Sequence, residues 1–147
     1  MKTRPKRGLV LSGGGGRGAY ECGVYKYLDE IGWEPDILVG TSIGAINAAA
    51  IASGRTPAQL EQAWLETHTR DIQRFWRFRP WRSIFDTTPW RQTLHRFIDF
   101  DGLAQTDKQV LVAATEIEAG DLRLFDNQTA SLSPDHILAS CSIPLLY

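Results

Sequence analysis

The sequence lacks several features that would each point to a class of protein. It has only two cysteines, Cys22 and Cys141, too few for a disulfide framework, so we expect reduced thiols. Its formal net charge is −1, which gives no overall attraction for nucleic acid. The chain has no apolar run of roughly 18 residues, and the run after the basic N-terminus is too short for a secretory signal. These absences predict a cytoplasmic protein without a membrane-spanning helix or a nucleic-acid partner.

Metal-binding patterns are absent as well, because the two cysteines and three histidines do not cluster at ligand spacing. We therefore expect neither a metal nor a cofactor. Hydrophobic residues make up 43% of the 147 residues, which is ordinary for a globular protein with a real core. We expect a single domain over residues 1–147, and no pattern indicates an oligomeric state.

The most informative segment present is a Gly-x-Ser-x-Gly motif, Gly40-Thr41-Ser42-Ile43-Gly44. An apolar run precedes it and an alanine-rich run follows, which predicts a strand, a tight turn and a helix. Such a turn exposes the hydroxyl of Ser42 at a helix N-terminus, where developing negative charge is stabilised. Two interpretations follow: Ser42 is the nucleophile of an acyl transfer, or it merely caps the helix.

A second glycine cluster, Gly13-Gly14-Gly15-Gly16-Arg17-Gly18, also lies between a predicted strand and a predicted helix. Consecutive backbone N–H groups at a helix start form an anion-binding nest. Gly13, Gly15 and Gly18 fit the dinucleotide pattern G-x-G-x-x-G, but the second strand ends in Ser42 and not in an acidic residue. An oxyanion hole facing Ser42 is the favoured interpretation, and a purely structural turn is the third.

The order of strands and helices predicts an α/β protein with a mainly parallel sheet. Functional groups gather at the carboxyl ends of the strands in such sheets, and both glycine motifs follow strand ends. The predicted strands cover residues 8–12, 37–41, 109–117 and 122–126, and the predicted helices cover 17–31, 43–53, 57–69 and 134–140.

The two glycine motifs together resemble those of bacterial patatin-like phospholipases. The resemblance extends over nearly the whole chain, through residues 84–89, Ala113-Ala114-Thr115-Glu116, Ala119-Gly120 and Ala139-Ser140-Cys141-Ser142-Ile143-Pro144. It implies a three-layer α/β/α fold and a serine lipid acyl hydrolase of the phospholipase A or esterase type, without a cofactor. The site residues implied are Ser42 as nucleophile, Gly14, Gly15, Gly16 and Arg17 at the oxyanion hole, and the motif glycines Gly13, Gly18, Gly40 and Gly44.

The resemblance also implies a catalytic aspartate in a D-G-G or D-G-A motif downstream of Pro144, and the chain contains neither motif. Its only Asp-Gly pair, Asp101-Gly102, is followed by Leu103 and precedes the third core strand. We therefore expect an N-terminal part of a longer enzyme, with a sheet incomplete at its C-terminus and little activity by itself. A non-catalytic relative that binds lipid is the alternative.

No histidine lies in a motif that would replace the aspartate. His136 follows Ser133-Pro134-Asp135, the start of a predicted helix, where a solvated position in the first turn is expected. His68 and His95 lie among arginines on predicted helices, and we expect them on the surface.

Residues 70–96 hold seven arginines and three of the five tryptophans. Basic residues beside exposed aromatic rings suit a lipid–water interface, which predicts peripheral membrane contact through this segment. The other interpretation, favoured by composition alone, is helices that pack their aromatic rings inward under arginine stems. Stacking on nucleic acid is a third and weaker reading of the same residues.

Overall fold

The computed structural model of the chain describes residues 4–72, 74–75, 85–86 and 88–142. Its strands are β1 (Gly8–Leu11), β2 (Ile37–Thr41), β3 (Arg74–Phe75), β4 (Phe85–Asp86), β5 (Gln109–Thr115) and β6 (Leu122–Asp126). Its helices are α1 (Ala19–Glu30), α2 (Ile43–Ala52), α3 (Pro57–Glu66), α4 (Thr69–Ile72), α5 (Thr88–Phe97), α6 (Phe100–Gln105) and α7 (Pro134–Cys141). A short 3₁₀ turn, Gly15–Gly18, precedes α1.

The main sheet has the strand order β1-β2-β5-β6. The first three strands are parallel, and β6 returns antiparallel to β5. Leu11, Gly40 and Val112 lie in one row across the parallel strands, so the ends of β1 and β2 are level. A separate antiparallel pair, β3 and β4, matches Arg74 with Asp86. The mainly parallel sheet with flanking helices confirms the predicted α/β class and is consistent with the three-layer α/β/α arrangement.

The core forms between one face of the sheet and α2. Side chains alternate along a strand, so Leu9, Leu11, Leu38, Val110 and Val112 share this face, and four of them are fully or almost fully buried. Every residue of α2 is buried, which explains why the helix is apolar on all sides and rich in alanine. This helix begins directly after Ser42.

The opposite face of the sheet is open in the described part of the chain. Val10 is 74% exposed, and Leu122 and Leu124 are 68% and 51% exposed on the same face. Parallel sheets usually pack against helices on both faces, so the exposure of these strand side chains is unusual.

Most predicted elements are confirmed, with boundaries shifted by a few residues. The capping box at the start of α3 is present: the Thr56 hydroxyl accepts from the Gln59 N–H, and the Gln59 side chain accepts from the Thr56 N–H. The bounds of α5 and α6 were not predicted, although His95 was expected on a helix and lies in α5. Cys22 and Cys141 are free and buried, as expected for reduced thiols. None of the described helices combines the length and hydrophobicity required to cross a bilayer.

Candidate active site

Ser42 lies at a strained bend between β2 and α2. Its backbone angles are φ 55° and ψ −125°, and it is the only residue other than glycine with positive φ among those the structure describes. An L-residue in this region costs on the order of 1–3 kcal/mol, so the surroundings must hold it there. The Ser42 side chain makes no capping hydrogen bond within the described helix, which contradicts the capping interpretation and leaves its hydroxyl available for chemistry.

The two motif glycines at this bend are required by close backbone approach. A Cβ on Gly40 would lie 2.5 Å from the Cα of Ala45, and a Cβ on Gly44 would lie 2.5 Å from the carbonyl carbon of Leu11. Real Cβ atoms do not approach backbone this closely. Their absence lets α2 start directly against the end of β1.

The glycine loop of residues 13–18 lies beside Ser42. A Cβ on Gly13 would be 3.3 Å from the Cβ of Ser42, so the two motifs are neighbours in space as expected from the strand ends. In the 3₁₀ turn, the first hydrogen-bonded amide is that of Arg17, which donates to the Gly14 carbonyl at 3.2 Å. The N–H groups of Gly14, Gly15 and Gly16 precede it, so the turn leaves them available to an anion, whereas the Arg17 amide is already used.

Ser140 of α7 ties the bend to the sheet. Its hydroxyl accepts from the Ser42 backbone N–H at 2.7 Å and donates to the Ala113 carbonyl of β5 at 2.5 Å. The next residue, Cys141, is 4% exposed. Burial raises the pKa of its thiol to about 12, against a smaller opposite effect of a hydrogen bond with the Ser42 side chain. The C-terminal end of α7 therefore holds the backbone of the Ser42 bend through Ser140.

Replacing Ser140 with alanine should destabilise the protein by about 2 kcal/mol, because a half-buried N–H and a half-buried carbonyl both lose their partner. The strained bend should also loosen, which should slow any reaction of the Ser42 hydroxyl. Thermal denaturation measures the first effect. The matched control is Ser142→Ala, which removes the exposed hydrogen bond from the Ser142 hydroxyl to Leu138 and should change stability little. Equal losses in the two variants would contradict the role given to Ser140.

No His, Asp or Glu side chain hydrogen-bonds the Ser42 hydroxyl within residues 4–72 and 88–142. The expectation that His136 is solvated is wrong: it is half-buried, its ring lies 4.6 Å from that of Phe125, and its Nδ1 accepts from the Ser133 N–H. His68 and His95 are exposed, as predicted. Within these two ranges, no such side chain is hydrogen-bonded to Ser42 as a base would be.

An open groove of about 720 Å³ borders the glycine loop and continues along β1 and α1. Its walls are mostly apolar and include Leu9, Val10, Tyr20 and Val24. Ser42 does not line the groove, and Gly13, which lines it and lies beside Ser42, connects the groove to the bend.

The predicted membrane-contact segment, residues 70–96, lies mainly outside the described residues. In its described part, Trp90 of α5 packs against the core, and Thr93, Leu94 and Phe97 of the same helix are buried. This much fits the inward-packing interpretation. Peripheral membrane contact and the cytoplasmic location stay predictions.

Two polar side chains behind the glycine loop, Asn47 and Glu21, were not predicted as site residues. The signal for Asn47 was present, since it is the only polar side chain in the otherwise apolar α2. Such a residue in a fully buried helix must have hydrogen-bond partners inside the protein.

The chain is similar in sequence to a family of known proteins. A family model described as patatin-like phospholipase matches residues 9–147. Neuropathy target esterase sws of Drosophila persimilis is 36% identical over 124 residues, 82% of this chain and 9% of that protein. Patatin-like phospholipase domain-containing protein 6 of Homo sapiens is 29% identical over 120 residues, 79% of this chain and 9% of that protein. Lysophospholipase nte1 of Aspergillus terreus is 58% identical over 45 residues, which is 31% of this chain and 3% of that protein. The chain spans less than a tenth of these relatives.

Proposed function

We propose that this chain supplies the nucleophile of a serine hydrolase acting on carboxylic esters of lipids, because the chain belongs to the patatin-like phospholipase family. The observation that carries the proposal is the strained bend at Ser42 with the amides of the glycine loop beside it. The names of the relatives, which include a lysophospholipase and an esterase, support a lipid ester as substrate. The apolar groove next to the loop supports an acyl chain as part of that substrate.

In the proposed reaction, the Ser42 Oγ attacks the ester carbonyl carbon and passes its proton to a base. The carbonyl oxygen becomes an oxyanion, which the N–H groups of Gly14, Gly15 and Gly16 stabilise together with the N-terminal end of the α1 region. The tetrahedral intermediate collapses, and the alcohol leaves with the proton from the base. Water then attacks the acyl-serine by the same route in reverse and releases the fatty acid.

The base is an aspartate that lies outside these 147 residues, in the D-G-G or D-G-A motif implied by the family. A serine hydroxyl without an adjacent base is a weak nucleophile near neutral pH. The chain by itself should therefore hydrolyse esters poorly, whereas a longer form that contains the aspartate should be active.

A fluorophosphonate probe tests the proposal, because it labels a serine only when the hydroxyl is activated. The full-length protein should be labelled at Ser42, as located by peptide mass spectrometry, and the Ser42→Ala variant should not. Ser142→Ala, which removes an exposed hydroxyl that bonds to Leu138 and not to Ser42, should be labelled like the parent. A full-length protein that resists labelling at Ser42 would overturn the proposal in favour of a non-catalytic lipid-binding protein.

A further inference from the structure

The glycine loop is tied at both of its ends to polar side chains behind it. Asn47 of α2 is 0% exposed, and its Nδ2 donates to the Gly18 carbonyl at 3.0 Å and to Glu21 Oε2 at 2.7 Å. The backbone N–H of Ser12 also lies close enough to the Glu21 carboxylate to lower its pKa. Ser12 precedes the loop and Gly18 ends it, so the two side chains hold the segment between them.

Asn47 makes three of the four hydrogen bonds that its side chain can form, with both donors in use. Its two N–H groups have the acceptors just named, and its Oδ1 accepts the indole N–H of Trp64 at 3.1 Å. Burial raises the pKa of the Glu21 carboxyl, while its hydrogen bonds with Asn47 and Ser12 oppose that shift. An ionised carboxylate accepts only, and both of its partners are donors. Every donor in this network therefore faces an acceptor.

The loop needs such an anchor because five of its six residues are glycine. Glycine has the largest backbone freedom of any residue, so the loop has little intrinsic preference for one shape. Oxyanion donors act only when they are placed within a fraction of an ångström of the developing charge. Asn47 lies in the helix that Ser42 begins, so it connects the position of the loop to that of the nucleophile.

We propose that Asn47 and Glu21 are positioning residues that hold the glycine loop in place beside the Ser42 hydroxyl. The catalytic part of this inference rests on the proposed function. The two side chains touch neither substrate nor reacting atoms. Their effect is on the placement of the Gly14, Gly15 and Gly16 amides.

The test compares Glu21→Gln with Tyr25→Phe in the full-length protein. Glu21→Gln keeps the shape of the side chain but places an NH₂ where one donor needs an acceptor. Tyr25→Phe removes one half-buried hydrogen bond of the same helix, from the Tyr25 hydroxyl to the Arg55 carbonyl at 2.9 Å, which involves no residue of the loop. Asn47→Ala is the stronger second variant.

Two measurements are made on each variant. Hydrogen exchange with mass spectrometry follows peptides that cover residues 12–18, with β5 as the internal reference. Steady-state hydrolysis of a short p-nitrophenyl ester gives kcat and KM separately. Glu21→Gln should accelerate exchange in residues 12–18 by about 10-fold and lower kcat by about 10-fold, with KM changed less than about twofold. Tyr25→Phe should leave all three unchanged.

Exchange in residues 12–18 that does not respond to Glu21→Gln or Asn47→Ala would overturn the inference, whatever the activity. A kcat of Glu21→Gln within about twofold of the parent, despite faster exchange, would also overturn it. A parent protein that does not hydrolyse the ester refutes the proposed function instead, and the exchange data still decide whether the two side chains hold the loop.

Discussion

Replacing Ser42 with glycine should make the protein more stable while it abolishes hydrolysis. The backbone at Ser42 has φ 55° and ψ −125°, a conformation that costs an L-residue on the order of 1–3 kcal/mol and costs glycine almost nothing. The extra freedom of glycine in the unfolded chain offsets about 0.5–1 kcal/mol of this gain. A net stabilisation of about 1 kcal/mol follows, which corresponds to a rise in Tm of about 3 °C.

The loss of activity in the same variant should be very large, on the order of 10⁴-fold or more, because no other group replaces the nucleophile. Ser42→Ala is the matched control. It removes the hydroxyl but keeps Cβ and therefore the strain, so it should lose activity equally without the gain in stability. Thermal denaturation and ester hydrolysis of the full-length variants measure the two effects. Equal Tm values for the glycine and alanine variants would show that the bend stores no strain.

Gly44→Ala should be strongly destabilising, with a cost of about 3 kcal/mol or more. Gly44 lies in α2, where helix propensity alone would favour alanine by about 1 kcal/mol. The added Cβ would lie 2.5 Å from the Leu11 carbonyl carbon and 2.8 Å from the Ser12 carbonyl oxygen. Both contacts are with backbone, which cannot rotate away, so the steric cost exceeds the gain in propensity.

Gly23→Ala, at a second helical glycine, should change stability in the opposite direction. Gly23 is exposed in α1, and a Cβ there would meet no heavy atom of the described chain within 4 Å. Only the propensity term remains, so the variant should gain up to about 1 kcal/mol. Urea denaturation of the two variants measures both values. A Gly44→Ala variant as stable as the parent would mean that α2 can move away from β1.

The same displacement should reduce reactivity at Ser42 in Gly44→Ala. The atoms that the new methyl group contacts are the end of β1 and the start of the glycine loop. Moving them away from α2 separates the loop amides from the nucleophile. The rate of fluorophosphonate labelling should therefore fall together with stability in Gly44→Ala and stay at the parent value in Gly23→Ala.

The core of the fold could be predicted from sequence because its signals are local. Runs such as residues 37–41 followed by the Gly-x-Ser-x-Gly motif determine strand, bend and helix within a few positions. The region between α3 and β5 could not be predicted in the same way. The helix α6 has only six residues. In α5, Thr88–Phe97 mixes arginine with aromatic residues in a pattern that does not separate a helix from an interfacial loop.

Exposure was less predictable than secondary structure. Tyr20 and Tyr27 follow the helical spacing of α1, yet they are 80% and 60% exposed, because the sequence does not say which surface a helix will meet. His136 shows the reverse, since it was expected in solvent but is half-buried with its ring against that of Phe125 in β6. The contact between Ser140 and Ser42 joins residues 98 positions apart, and no local pattern contains it. Tertiary contacts of this kind complete the site, and the motifs only locate its centre.

The level ends of β1 and β2 have a consequence for how the length of such chains can vary. A single inserted or deleted residue within a strand moves every following side chain to the other face of the sheet. In β1 or β2 this would move the buried side chains of the strand to the exposed face and separate the Ser42 bend from the glycine loop. Insertions and deletions in divergent copies of this domain should therefore concentrate in connections such as residues 31–36, 53–56 and 116–121.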